Sequence, residues 1–217
     1  IYFMNKNTIW NNIKVEEIRG KFGEKLANYE LTNIIKNKHN YSVVGIPNSG
    51  ISSAKSYATA LDIVYEQLIT KNKNINRTFI LNTDSERRTH AKNKYIFSDE
   101  LKHKNIILFD DSIVRGITMK LLVKNLKLFG ANEVHVRIAA PQIKYECKYG
   151  IDIPTQGELL MNKYKKSLEP AKDYLGCDSL KFIEIDDIKS IMDSNYSNYS
   201  NNLCTGCFNN DYKQLNW

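Results

Sequence analysis

The chain has 217 residues, 42% of them hydrophobic and 25% charged, enough apolar material for one large domain or a domain with a small appendage. Its formal net charge of +7 favours anionic partners, but the basic residues are scattered among asparagines rather than massed in a tail. The charge therefore suits a phosphate-bearing small molecule at least as well as nucleic acid, which is not favoured. No run of about 18 apolar residues is present, which argues against a membrane-spanning helix. The opening "IYFMNKNTIW" lacks the basic-then-apolar order of a secretory signal. Because it begins with Ile1 rather than Met, the chain reads as processed or as part of something longer.

In chain order, residues 15–38 predict a helical region, with Val15, Ile18, Phe22 and Leu26 at three- and four-residue steps. "YSVVGI" (41–46) predicts a buried strand, "PNSG" a turn and "ISSAKSYATAL" a helix. "DIVYE" (62–66) and "RTFIL" (77–81) read as strands on either side of the polar loop "TKNKNIN". "NIILF" (105–109) is a strand, "TMKLLVKNLKLFG" (118–130) a helix closed by Gly130, and "EVHVRIAA" (133–140) the next strand. This alternation predicts an α/β domain with a mostly parallel sheet flanked by helices. After Pro141 the pattern loosens into short helices around one more strand, "LKFIEI". Residues 193–202 form a polar Ser/Asn/Tyr linker to "CTGC" (204–207), giving a helical and irregular C-terminal extension.

The four cysteines, Cys147, Cys177, Cys204 and Cys207, come without a secretory segment, and CxxC is the spacing of a metal or redox pair. A reducing, cytoplasmic compartment is expected. His39, His90, His103 and His135 show no metal spacing, and "KYKK" (163–166) reads as a solvated helix face.

The most informative stretch is "NIILFDDSIVRGITMKLL" (105–122). In open α/β sheets ligands bind beyond the carboxyl ends of strands, and Asp110 and Asp111 stand at such an end. The following turn runs into a helix N-terminus, offering backbone N–H groups, the hydroxyls of Ser112 and Thr118, and the positive end of a helix dipole. The turn suits a phosphate. The carboxylates suit sugar hydroxyls or a hard cation such as Mg²⁺. The plainer reading of the acidic dipeptide alone is a turn cap.

"IILFDDSIVRGIT" closely resembles the phosphoribosyl-pyrophosphate (PRPP) motif of type I phosphoribosyltransferases, and "DDSIVRG" is the form seen in the glutamine PRPP amidotransferase family. "GIPNSGISSAKSYA" (45–58) resembles that family's pyrophosphate loop and "TKNKNINRTFI" (70–80) its flexible catalytic loop. "AAPQIKYECKYGID" (139–152), "ELLMN" (158–162) and "LGCDSLKFIEIDDI" (175–188) follow in the same order. The resemblance implies the type I phosphoribosyltransferase fold over residues 1–192. Residues 1–40 would be a helical lead-in from an absent N-terminal glutaminase domain, and 193–217 a linker and CxxC tail.

The activity implied is a Mg²⁺-dependent displacement of pyrophosphate from PRPP by ammonia, giving 5-phosphoribosylamine for purine synthesis. Ser112, Arg115, Gly116, Ile117 and Thr118 would hold the 5-phosphate. Asp110 and Asp111 would take ribose hydroxyls and, with Ser49, Mg²⁺. Asn48 and Ser49 would sit at pyrophosphate, and Lys71, Asn72 and Arg77 in the closing loop. Arg87 and Lys94 match basic positions that meet pyrophosphate or an inhibitory purine nucleotide. Cys147, Cys204 and Cys207 match three ligands of a [4Fe–4S] cluster found in some members, zinc or no metal being the alternatives, while Cys177 reads as a packed core thiol. A homo-oligomer is the family's habit.

The sequence also departs from the family. Asn48 stands where Asp is common, Gly50 replaces a hydroxyl residue, and Ile117 replaces Thr. Lys73, Asn74 and Asn76 stand where Arg, Tyr and Gly are usual. These changes keep open a catalytically weak PRPP- or nucleotide-binding module. A salvage transferase, acting on a purine or pyrimidine base, fits the "DDSIVRG" form and the cysteine placement less well.

Overall fold

A computed structural model describes residues 1–10, 12–30, 32–72, 94–153, 155–196 and 203–212. Two short antiparallel strands, β1 (Ile9–Trp10) and β2 (Ile13–Lys14), lead into α1 (Val15–Ala27) and α2 (Thr32–Lys36). The expected single helical region is thus two helices, broken at Asn28–Glu30. Next come β3 (Tyr41–Gly45), α3 (Ile51–Leu61), β4 (Val64–Tyr65) and β5 (Ile69–Lys71). Then follow β6 (Tyr95–Phe97), β7 (Asn105–Asp110), α4 (Ile117–Leu128) and β8 (Glu133–Ile138). The chain continues through α5 (Leu160–Lys163), α6 (Leu168–Leu175), β9 (Ser179–Phe182), α7 (Ile185–Tyr196) and α8 (Gly206–Asn209).

Five strands form one parallel sheet in the order β4-β3-β7-β8-β9. The central strand explains why its sequence is apolar without a break. Ile106 and Leu108 face a core built with Met119, Leu122, Val123 and Leu126 of α4. Ile107 and Phe109 face the other core, with Phe22 and Leu26 of α1 and Tyr57 of α3. Side chains alternate faces along a strand, so a strand covered on both sides must be hydrophobic at every position. All four residues are fully buried.

β5 pairs antiparallel with β6 outside this sheet, Lys71 standing opposite Tyr95. The polar run around Lys71 predicts a loop; a partner strand distant in sequence extends it instead. The anticipated strand 77–81, along with Arg77, Arg87 and the Lys73, Asn74 and Asn76 substitutions, lies outside the described residues. Helix α7 runs to Tyr196, past residue 193 where the composition predicts a linker. The CxxC segment is docked on the body: Phe208 shares a small core with Ile143, Ile153 and Leu159. The carbonyl of Cys207 accepts from the N–H groups of Lys144 and Tyr145 at 2.9 and 3.0 Å.

One charged pair is wholly internal. Arg137 on β8 donates from Nε and Nη2 to both oxygens of Glu30 at 2.7 and 2.6 Å, and both side chains are 0% exposed. The Tyr57 hydroxyl also donates to Glu30, and Arg137 Nη1 reaches Ser179 at 2.9 Å. Removing one member of such a pair leaves a buried charge uncompensated, at a cost of about 3–5 kcal/mol. Arg137→Met should therefore lower the unfolding free energy by ~3 kcal/mol or more. Adding Glu30→Leu should restore part of the loss, as read by denaturant titration.

Candidate active site

β3 and β7 are neighbours, but the chain reaches β4 on one side of β3 before returning to β7 on the other. Their carboxyl ends therefore flank the point where strand order reverses, the place at which open α/β sheets bind ligands. The turn 46–50 leaves β3, and the loop 111–116 leaves β7. They are bound together: Ile46 N–H donates to the Phe109 carbonyl at 2.9 Å. A Cβ on Gly50 would lie 2.1 Å from that same carbonyl oxygen. Glycine at 50 lets the turn lie this close to β7.

Asp110 ends β7 and is half-buried. Its Oδ1 accepts from the Ser49 hydroxyl at 2.7 Å and from the Asp111 N–H at 2.8 Å. Burial, followed by the charge of Asp111, pushes its carboxyl up to about 7. Asp111 is raised as well, chiefly by burial, against the pull of the Arg19 guanidinium 3.6 Å away. Ser112 Oγ donates to Asp111 at 3.0 Å.

Gly116, at φ 77°, turns the loop into α4. That left-handed conformation suits glycine, and a Cβ there would also press within 2.9 Å of Leu160 Cδ1. The loop is held from outside, with Leu160 N–H on the Val114 carbonyl at 2.8 Å and Arg115 Nε on Glu158 at 2.8 Å. The Arg115 side chain is thereby engaged through Nε at the rim. A cavity of about 420 Å³ lies over this loop, lined by Ser49, Lys94, Tyr95, Asp110, Asp111 and residues 112–119.

An adjoining cleft of about 550 Å³ brings Lys71, Lys94, Asn48 and Ser49 opposite residues 2–7 and Arg19. Asn72 lies just beyond, its N–H on the Lys94 carbonyl at 2.9 Å. Sequence reasoning missed Arg19, Tyr95 and the wall made by residues 2–7, and gave no role to Glu158 within "ELLMN". Each arrives from a distant part of the chain.

The cysteines are less well assembled. The Tyr2 hydroxyl lies 3.3 Å from Cys207 Sγ, Tyr149 N–H donates to Cys147 Sγ at 3.4 Å, and Cys204 is exposed. Burial pushes the Cys207 thiol up, with Cys204 and Cys147 adding to the effect, so the three are neighbours. Yet among the described residues no group of three or more His, Cys, Asp or Glu is arranged to hold a metal ion. Cys177 is a buried core thiol pushed up to about 12 by burial, as expected. His135 is likewise a satisfied core residue, held by Ser179 and Glu133 at 2.8 and 2.9 Å.

A parallel sheet with an acidic pair and a glycine-turned loop at its switch point is the arrangement of the type I phosphoribosyltransferase fold. No family model matches the chain. Amidophosphoribosyltransferase of Staphylococcus aureus (strain N315) is 38% identical over 213 residues, spanning 98% of this chain and 42% of that protein. The chloroplastic amidophosphoribosyltransferase of Vigna aconitifolia is 34% identical over 213 residues, covering 98% and 41% respectively. The solved structure of glutamine PRPP amidotransferase from B. subtilis, complexed with ADP and GMP, superposes with a TM-score of 0.81 at 32% identity, covering 98% of this chain and 45% of that one. The chain spans less than half the length of these relatives. It is a phosphoribosyltransferase domain of the amidophosphoribosyltransferase family.

The acidic pair sets a pH dependence. Asp110 in the folded chain holds a proton up to about pH 7, whereas an unfolded aspartate releases it at about 3.9. Between those values unfolding releases protons, so stability should fall as pH rises through this window. Asp110→Asn should flatten that slope and, at pH 7.5 without divalent cation, raise stability by ~1 kcal/mol. Thermal melts across pH 4–8 check both.

Proposed function

We propose that this domain carries out the phosphoribosyl-transfer half of the amidophosphoribosyltransferase reaction, in which ammonia displaces pyrophosphate from C1 of PRPP. The C1–oxygen bond breaks, a C1–nitrogen bond forms, and the incoming ammonia gives up a proton, yielding 5-phosphoribosylamine for purine synthesis. The observation that carries this reading is the loop 111–116, which places two half-buried carboxylates beside the glycine-entered N-terminus of a twelve-residue helix.

In this reading the amides of residues 112–118 and the hydroxyls of Ser112 and Thr118 hold the 5-phosphate. Asp110 and Asp111 orient the ribose hydroxyls and, with Ser49, hold Mg²⁺. Two adjacent carboxylates raised by burial, with the Ser49 hydroxyl on Asp110, are oxygen donors of the kind that would hold a divalent cation. When bound, Mg²⁺ supplies charge neutralisation of the pyrophosphate. Asn48, Lys71 and Lys94 line the cleft on the pyrophosphate side, with Asn72 and Arg77 assigned to the closing loop that excludes water.

The B. subtilis relative is complexed with ADP and GMP, which supports purine nucleotides as ligands of this chain. The ammonia source would be a glutaminase domain not included in this sequence. Residues 1–192 then make up the transferase domain and 193–217 its tail, acting as a homo-oligomer in a reducing cytoplasm. The four cysteines are free thiols, and among the described residues no helix is long and apolar enough to cross a membrane.

The decisive assay is pyrophosphate release from PRPP with Mg²⁺ at saturating ammonia. Asp110→Asn with Asp111→Asn should reduce it by about 100-fold or more, the scale for losing preorganised charge in a site. Asn48 and Ile117 favour a binding module as the second reading. Tight PRPP binding without any turnover would establish that instead. For the cysteines, Cys147, Cys204 and Cys207 are neighbouring thiols and are the residues that would hold an iron–sulfur cluster. Iron and acid-labile sulfide, measured after anaerobic purification, test this: about one cluster per chain supports it and none overturns it.

A further inference from the structure

Arg19 lies on α1, is 4% exposed, and is the residue of this region that the chemistry above leaves without a role. Its Nη2 donates to the carbonyls of Ile1, Tyr2 and Met4 at 3.1, 3.0 and 2.9 Å. The same nitrogen stands 3.6 Å from Asp111 Oδ2. Its buried Nε has no hydrogen-bond partner among the described residues, so the head group's contacts are concentrated on that one edge. The helix is fixed behind it, for Ser53 Oγ donates to the Arg19 carbonyl at 2.7 Å. The segment so gripped continues as residues 2–7, the wall of the cleft opposite Asn48, Ser49 and Lys71.

We infer that Arg19 is a positioning residue: one guanidinium holds Ile1–Met4 as a wall of the phosphoribosyl site and orients Asp111 at the same time. An Nη2 group has two protons, and here three carbonyls share them while the Asp111 carboxylate draws the same nitrogen by charge from 3.6 Å. When Asp111 turns its charge toward a bound cation or ribose hydroxyl, that share shifts to the carbonyls and the segment tightens. Coupling of this kind is reciprocal, so a loosened segment weakens ligand binding. This rests on the PRPP reading above. It adds that order in residues 1–8 and occupancy of the site are linked.

Hydrogen exchange of the full chain with and without PRPP and Mg²⁺ tests it directly. The expected result is slower exchange at both 105–118 and 1–8 on binding. Arg19→Gln keeps amide donors and loses the charge, while Arg19→Lys keeps the charge and loses the fork. Both should weaken PRPP binding by about five- to twentyfold, the scale of one charge-assisted contact. Both should abolish the ligand-induced protection of 1–8, with Arg19→Lys recovering part of the affinity but not the protection. Protection confined to 105–118 in the unaltered chain overturns the inference and leaves PRPP binding standing. So does wild-type affinity in Arg19→Gln. No protection at either segment removes the PRPP reading and this inference together. Because the exchange arm needs no variant, it holds even if Arg19→Gln fails to fold.

Discussion

Two adjacent carboxylates at the end of one buried strand are the constraint around which this molecule is arranged. In a half-buried cleft both lose hydration, which raises both, and the charge of Asp111 raises Asp110 further. Nothing in the stability of a sheet calls for them. What surrounds them reads as compensation: the Ser49 hydroxyl and the Asp111 amide on Asp110, the Ser112 hydroxyl and Arg19 on Asp111. Each group offsets part of the charge without neutralising the pair. The pair is left with uncompensated negative charge, and the strand end tolerates it because β7 is anchored by four fully buried residues before the charges begin.

The architecture converts that local cost into placement. Because strand order reverses between β3 and β7, the turn after β3 and the loop after β7 diverge to opposite faces and leave a crevice between them. Gly50 then allows the β3 turn to lie directly on the Phe109 carbonyl. That contact brings Ser49 within hydrogen-bonding distance of Asp110 across 61 residues of sequence. On the far side, Leu160 and Glu158 brace the loop at Val114 and Arg115. A phosphate cradle made of backbone amides needs such bracing, since its specificity resides in main-chain geometry rather than in side-chain identity.

What is legible in the sequence is what is local. "FDDSIVRGIT" carries its strand end, its acidic pair, its turn glycine and its helix start within one short stretch, so the centre of the site can be recognised from residue order alone. The parallel sheet is legible for the same reason, since both its apolar runs and its helix periods are short-range patterns. The pairing of Ile69–Lys71 with Tyr95–Phe97 is not, because its partners are separated by the whole intervening segment. Nor is the ion pair of Glu30 with Arg137, 107 residues apart, in which a strand residue of ordinary appearance is among the most buried in the chain. Arg19 reads in sequence as one more basic position on an amphipathic helix. Only the approach of α1 to the end of β7 gives it a carboxylate to face.

The net charge of +7 acquires a meaning in this geometry that composition alone does not give it. A ligand with several phosphates is repelled by Asp110 and Asp111, so a purely acidic site could not hold it. The adjoining cleft answers this with cations on its other surfaces, where Lys6, Lys71, Lys94 and Arg19 line the same space as Asp111. Apart from the Arg19–Asp111 pair, the lysines line the same cleft as the carboxylate, and an anionic ligand with a bridging cation would satisfy both kinds of charge at once. The same arrangement lets binding be sensed at a distance. Charge drawn away from Asp111 by a ligand is charge that Arg19 can give to the carbonyls of residues 1, 2 and 4, and through them to the segment that forms the cleft's outer wall.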